Sequence, residues 1–489
     1  LLLKQLASQT AIYGLSTILA RLLNFALTPL HTSLIAKAEY GILNDVYSMI
    51  ALLMVLLTFG METAFFRFQR EGDYSSRTVF SAATGFTLFT SLLFIGATWL
   101  FQEPLAQWLQ YEDRPHFLLW MMLIVAMDAI AAVPLAQLRA RHQPYRFLLV
   151  RLGTIGLIVS LNLAFFLLFP WLLAQGVATH WVELVYEPGL GVAYVFIANL
   201  IGNVFMLLLL SPDLIRIRLQ PCWPLLRRLL WYAAPLVLGF IAGVINEKAQ
   251  FQFMKYLLPG EEGRVAMATF GAVMKIATFM VLFIQAFRFA AEPFFFSGEG
   301  TFKPRMARVM RYFVTVQALI FLGLTCFLEI IKRSHFIAEK YWDGFQAAPI
   351  LLFANLLLGI NFNLNMWYKL EKKTQMGIYI TSVGLVFTVI ANLMLVPRFG
   401  YMGAAWSTLI SYASMTIYAY YLNQKHHRVA YPVKLLLSHL LLAVGGAYLS
   451  YAVFESGLLA GTLIFAFYSA YLAYVERSNL SELWQRIKL

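Results

Sequence analysis

The residues of this sequence that could do chemistry are charged side chains set inside apolar stretches. Arg21 lies midway along one such stretch and shares a helical face with Gly14, Thr17, Asn24 and Thr28, spaced three and four apart. An Arg at mid-bilayer costs at least about 2.5–3.5 kcal/mol on insertion scales, so it must face protein or water. There its planar guanidinium offers paired donors to a phosphate or a carboxylate. The bland reading is an ion pair with Asp45 or Glu62 that fixes helix packing. Lys275, on one face with Thr278 and Gln285, is a second buried cation. Lys248 points away from the small and polar stripe of Gly239, Gly243, Asn246 and Gln250, so packing or snorkelling suits it as well as a ligand role. Arg288 lies near a span end, where snorkelling is the default. Among the acids, Asp45, Glu62 and Glu292 suit gating, and Asp128 and Glu247 suit proton or cation coupling or plain structural pairing. Asn355, Asn361, Asn363 and Asn365 suit sugar or cation contact, or interhelical hydrogen bonds.

Elements that position such residues must cross a bilayer. The 489 residues are 61% hydrophobic and 12% charged, with mean hydropathy +0.71, which no single water-soluble core could hide. Apolar segments of about 20 residues recur, each long enough to cross a hydrocarbon core of roughly 30 Å, and lipid obliges them to be helices. They predict an all-α membrane protein with about fourteen spans: 8–30, 40–66, 78–100, 117–137, 147–169, 189–211, 230–254, 265–290, 312–331, 346–368, 375–396, 401–422, 435–453 and 458–475. Leu1 to Leu30 lacks the pattern of a cleavable signal peptide, so the first span is expected to stay. Lys and Arg concentrate in alternate connections, around 67–77, 139–151, 216–228, 303–311, 369–373 and 425–434, which puts both termini in the cytoplasm. The net charge of +13 then reports topology and anionic lipid contact rather than nucleic acid. Cys222 and Cys326 suggest no disulfide, His426 and His427 read as solvated residues of a basic loop, and no metal-ligand spacing occurs. Leu480, Leu483, Trp484 and Ile487 read as a short amphipathic tail on the membrane surface.

A shift of 230 residues superposes the halves: Gly41, Asp45, Ser48, Leu52, Val55, Phe59 and Glu62 fall on Gly271, Lys275, Thr278, Leu282, Gln285, Phe289 and Glu292, and Asn162-Leu163 falls on Asn392-Leu393. Later the shift drops to 212, aligning Gly191-Val192-Ala193-Tyr194 with Gly403-Ala404-Ala405-Trp406, and the loop near 170–188 absorbs the difference. Six spans separate equivalent points, an even number, so the repeat is parallel. The expected organisation is a six-helix lobe at 1–229, a second at 230–424 related by a pseudo-two-fold axis, and an appended helix pair with the tail at 425–489.

The stretch from Asn392 through Pro397, Gly400, Gly403 and Thr408 to Ser411 and Tyr412 resembles the signature of polysaccharide and oligosaccharide-lipid flippases. So do Ser16 to Phe25, Pro29, Glu39-Tyr40-Gly41 and Gly60-Met-Glu62-Thr-Ala64, which match the first two helices of that family. The family is the Wzx-type branch of the multidrug/oligosaccharidyl-lipid/polysaccharide (MOP) exporter superfamily, and the resemblance covers essentially the whole chain. It implies twelve helices plus two, alternating access between lobes, and a monomer in a bacterial inner membrane. The implied cargo is a polyprenyl-diphosphate-linked oligosaccharide carried from the cytoplasmic to the periplasmic leaflet, with glycan polymerase and glycosyltransferases of the same pathway as partners. Arg21 is then the expected diphosphate ligand, with Lys275 a second ligand or, equally, the partner of Asp45 in a gate. The chain has no phosphate-cradling Gly-rich Lys-Ser/Thr motif, so no cofactor is expected and coupling falls to Na+ or H+. Rival readings are the peptidoglycan-precursor (lipid II) flippase, which shares the fourteen helices, and a cation-coupled drug exporter, which the extra helix pair argues against. A membrane glycan polymerase or glycosyltransferase needs a larger external loop than 170–188, so a transporter rather than an enzyme is expected.

Overall fold

A computed structural model describes residues 18, 19, 21–217, 222–296, 302–371, 373, 375–455 and 457–477, with backbone alone at 289–296 and 302. Thr17 and the amphipathic tail lie outside the described residues, as does the side chain of Glu292. Every regular element among them is helical. Twelve helices are long and apolar enough to cross a membrane. One of them, Gln375–His426, holds two expected spans joined at Gly400 (φ 54°, ψ −130°). Counted as two, it brings the spans among the described residues to thirteen, and the expected first span, 8–30, lies partly outside the described residues. The chain is a multi-pass all-α membrane protein.

It divides into two compact units, Leu1–Lys255 and Tyr256–Leu489. The first contains α1 (Thr28–Leu34), α2 (Lys37–Thr58), α3 (Met61–Glu71), α4 (Ser76–Leu100), α5 (Gln102–Trp108), α6 (Pro115–Ala140) and α7 (Pro144–Leu163). It continues with α8 (Phe169–Ala174), α9 (Thr179–Glu183), α10 (Ala193–Leu214) and α11 (Trp223–Leu257). The second contains α12 (Gly260–Phe296), α13 (Phe302–Cys326), α14 (Leu328–Arg333), α15 (Ala348–Leu364), α16 (Met366–Leu370), α17 (Gln375–His426), α18 (Val433–Tyr448) and α19 (Leu458–Val475). Here the packing departs from the repeat. Helix α11 heads the second half by sequence, yet its Leu225, Leu229 and Ala233 pack in the first unit with Met61, Phe65, Val79 and Val133.

The second expected span breaks in two because Phe59 and Gly60 both take left-handed backbone (φ 45° and 66°). Glu62 is thereby set in the first turn of α3, where the helix dipole favours a carboxylate. Elsewhere small residues let helices close in, as membrane helices without a hydrophobic driving force require. A Cβ on Gly202 would come 2.4 Å from Ile158, and one on Gly359 would come 2.4 Å from Phe313. Leu92, Leu93, Trp99, Leu463 and Phe467 remain exposed on outer faces, where lipid is the solvent.

The signature stretch builds a hairpin. Its turn is Gly400, and Gly403 packs so close that a Cβ there would lie 2.3 Å from the Leu395 carbonyl oxygen. Hydroxyls zip the two arms: Thr388 Oγ1 donates to Ser411 Oγ at 2.7 Å and Ser411 Oγ to the Gly384 carbonyl at 3.2 Å. Asn162 and Asn392 are both fully buried, and each donates Nδ2 to the carbonyl four residues back, Ile158 at 2.8 Å and Thr388 at 2.7 Å. The backbone of Gly191 (φ 48°, ψ −120°) matches that of Gly400 rather than of Gly403, three residues from the sequence alignment.

Candidate functional site

Three polar constellations occupy the first unit. In the first, donors from α11 and from the segment after α5 converge on Asp45 of α2. Lys255 Nζ donates to Oδ2 at 2.6 Å, Gln252 Nε2 to Oδ1 at 2.6 Å, and the Tyr111 hydroxyl also donates to Oδ2. Gln252 reaches Ser48 Oγ at 2.9 Å, and the Lys255 ammonium lies 4.3 Å from the Tyr111 ring centroid. Asp45 is 1% exposed and Lys255 8%. The cation found on Asp45 is thus Lys255, at the end of α11.

The second centres on Glu62 and Asp128. Arg139 Nη2 donates to Glu62 Oε1 at 2.6 Å, both side chains being half-buried. Arg151 lies within electrostatic reach of Asp128, Arg139 and Glu62. Asn203 is a polar neighbour of Asp128 and donates to the Ile124 carbonyl at 3.3 Å, while Asn199 donates to the Tyr47 hydroxyl at 2.7 Å. Arg151 was expected in a cytoplasmic connection. In α7, which starts at Pro144, it stands two turns into the helix with its side chain on an exposed face.

The third carries the residue singled out first. Arg21 is exposed, and Glu247 of α11 is within its electrostatic reach. Glu247 bonds the adjacent Lys248 at 2.9 Å, with the Glu side chain 55% and the Lys 32% accessible. Lys248 therefore neither packs in the core nor stands alone; it neutralises its neighbour. Asn24 is exposed near Arg21 in sequence. Charges this accessible on apolar helices need water beside them.

In the second unit Lys275, Thr278 and Gln285 are half-buried on α12, and Thr278 spends its hydroxyl on the Met274 carbonyl at 3.0 Å. Arg288 does more than snorkel, its guanidinium lying 4.9 Å from the Phe362 ring centroid. In the asparagine cluster Asn355 and Asn363 bond carbonyls of their own helix, at 2.8 and 3.1 Å. Asn361 and Asn365 are buried with carbonyl oxygens that have no protein partner, so they can accept from water or a cation. His426 is exposed, as expected of a solvated loop residue, and His427 half-buried; both stack on buried Trp367, 5.7 and 6.0 Å between centroids, and His427 bonds Glu371 at 2.7 Å. Both cysteines are free, and among the described residues no group of three His, Cys, Asp or Glu is placed to hold a metal.

The chain's fold recurs in solved structures. The lipid II flippase MurJ, in an inward closed conformation, superposes with a TM-score of 0.74 at 12% identity, over 95% of this chain and 99% of its own. A multidrug resistance MATE family transporter of the MOP superfamily, inward-facing, superposes at 0.61 with 14% identity, over 83% and 94% of the two chains. The MATE multidrug transporter DinF-BH gives 0.60, 15%, 87% and 96%. The chain shares their fold. No family model and no curated protein sequence matches it.

Sequence reasoning missed Lys255, Tyr111, Gln252 and Arg151. Lys255 is 210 residues from Asp45, so no periodicity links them. The one available signal was that Lys255 ends an apolar helix on the side away from the basic connections.

Proposed function

We propose that the chain is a flippase that carries a polyprenyl-diphosphate-linked oligosaccharide from the cytoplasmic to the periplasmic leaflet of a bacterial inner membrane by alternating access. The observation that carries this reading is the accessible set Arg21, Glu247 and Lys248, with Arg151, on apolar helices of the first unit. An anionic headgroup needs such a wet, cation-bearing wall, while its isoprenoid tail stays in lipid. Arg21 holds the diphosphate in the first unit, and Lys275, Thr278, Gln285 and Arg288 are the substrate contacts of the second unit. Asp128 and Glu247 are the coupling carboxylates for Na+ or H+. Both termini are cytoplasmic, and the protein acts as a monomer beside the polymerase and glycosyltransferases of its pathway.

A second reading, the lipid II flippase, draws on the likeness to MurJ over 99% of that chain. Both readings require a polyprenyl diphosphate. Reconstitution in proteoliposomes with defined lipid-linked glycans, at varied pH and sodium, separates them. Translocation of an oligosaccharide carrier but not of lipid II is the expected result. Movement of lipid II alone selects the second reading, and movement of no lipid-linked saccharide overturns both.

A further inference from the structure

The Asp45 constellation is built in a way that stability alone does not explain. Three side chains donate to one carboxylate, and the ammonium and carboxylate are almost wholly buried. Desolvating both charges offsets most of what their attraction returns, so an apolar pair would hold α11 on α2 at least as well. What an ion pair offers and an apolar contact does not is a second acceptable arrangement, with both charges separated and hydrated. The position equivalent to Asp45 in the second half is Lys275, so the repeat supplies no second copy. Finally, the donors Gln252 and Lys255 end the same helix that carries Glu247 and Lys248 one to two turns earlier. A shift at this end moves the accessible pair with it.

We propose that Asp45, Lys255, Tyr111 and Gln252 form a latch that holds the end of α11 on α2 in one conformation and parts in another. The inference rests on the transport reading for its purpose, and its geometry is independent of the cargo. On the topology given above, this end faces the periplasm.

The test uses the full chain in nanodiscs with Cys222→Ser and Cys326→Ala, and Ser48→Cys as reporter inside the latch. A hydrophilic maleimide is expected to label the reporter slowly. Adding Lys255→Gln should speed labelling by at least about tenfold, as expected when a mostly closed equilibrium loses its closing contact. The charge exchange Asp45→Lys with Lys255→Asp should bring back most of the protection. Thr84→Cys, at a fully buried site away from the latch, serves as control and should stay protected throughout. An unchanged reporter rate in Lys255→Gln overturns the latch, as does a reporter that labels at the rate of an exposed cysteine with all four residues intact. If both reporters open in Lys255→Gln, the fold has been lost and the charge exchange decides: recovery supports the latch, and no recovery overturns it. No substrate enters this measurement. Failure of every lipid-linked saccharide to move, with labelling as expected, overturns the flippase reading and leaves the latch standing.

Discussion

Arg21 and Glu247 offer a test in which sign carries more weight than size. If Arg21 grips a diphosphate, Arg21→Ala removes a charge-assisted contact worth about 1.5–3 kcal/mol. The guanidinium is exposed, so solvent screening selects the lower end, and affinity should fall about tenfold. Glu247 lies within reach of that cation and repels the same anion. A half-screened like charge costs about 0.5–1 kcal/mol, so Glu247→Gln should bind the anion about two- to fivefold more tightly. Lys248→Ala should weaken binding, because it uncovers the Glu247 carboxylate that its ammonium at 2.9 Å offsets. The assay is equilibrium binding of a short-chain prenyl diphosphate to purified protein, with thermal melting to confirm the fold of each variant. Opposite shifts for Arg21→Ala and Glu247→Gln support the assignment. Equal losses in both, or wild-type affinity in Arg21→Ala, mean that the pair is structural and that Arg21 does not bind the headgroup.

Three further outcomes follow from the fold. Gly403→Ala should destabilise by about 1–3 kcal/mol, since the added methyl meets the Leu395 carbonyl rather than a movable side chain; a lowered melting temperature checks it. Arg428→Gly should stabilise by about 0.5–1 kcal/mol: Arg428 ends α17 with φ 51°, and its amide bonds the Asn423 carbonyl at 2.8 Å, a cap that glycine adopts without strain. Glu371, beyond the end of α16, is held below the usual carboxylate range by hydrogen bonds from Lys373 and His427. Its folded pKa is depressed, so its stabilisation is present above the unfolded value near 4.5 and is lost as pH falls through the folded value. The melting-temperature gap between wild type and Glu371→Gln should therefore close on acidification, from a small neutral-pH value, because the group is largely solvated. A gap that widens at low pH contradicts the assignment.

The helices were legible because lipid imposes one rule on them: about 20 apolar residues, with breaks where glycine or proline interrupts. Gly400, between the expected spans 375–396 and 401–422, is where the hairpin turns. The break at Phe59–Gly60 was not legible, since the apolar run continues through it and left-handed phenylalanine has no sequence signature. Polar partnerships were the least legible. Asp45 offered Arg21 and Lys275 as candidates by depth and by repeat, and the cation found on it is at the end of α11, a choice made by tertiary packing alone. Arg151 was misplaced for a different reason: the charge rule counted it with the basic connection at 139–151, although the expected span 147–169 already held it, and α7 carries it.

The habit of polar side chains to bond their own helix has a bearing on how such a chain is made. Asn162, Asn199, Asn355, Asn363 and Asn392 each donate to the carbonyl four residues back, as do the hydroxyls of Thr154, Thr325, Thr408 and Thr462. These bonds need no neighbour. A helix can carry them from the insertion machinery into lipid with those donors already satisfied. Biogenesis can therefore proceed segment by segment for these donors, while the ionised groups wait for partners that arrive later in synthesis. Asp45 is the extreme case, since its cation is translated 210 residues after it.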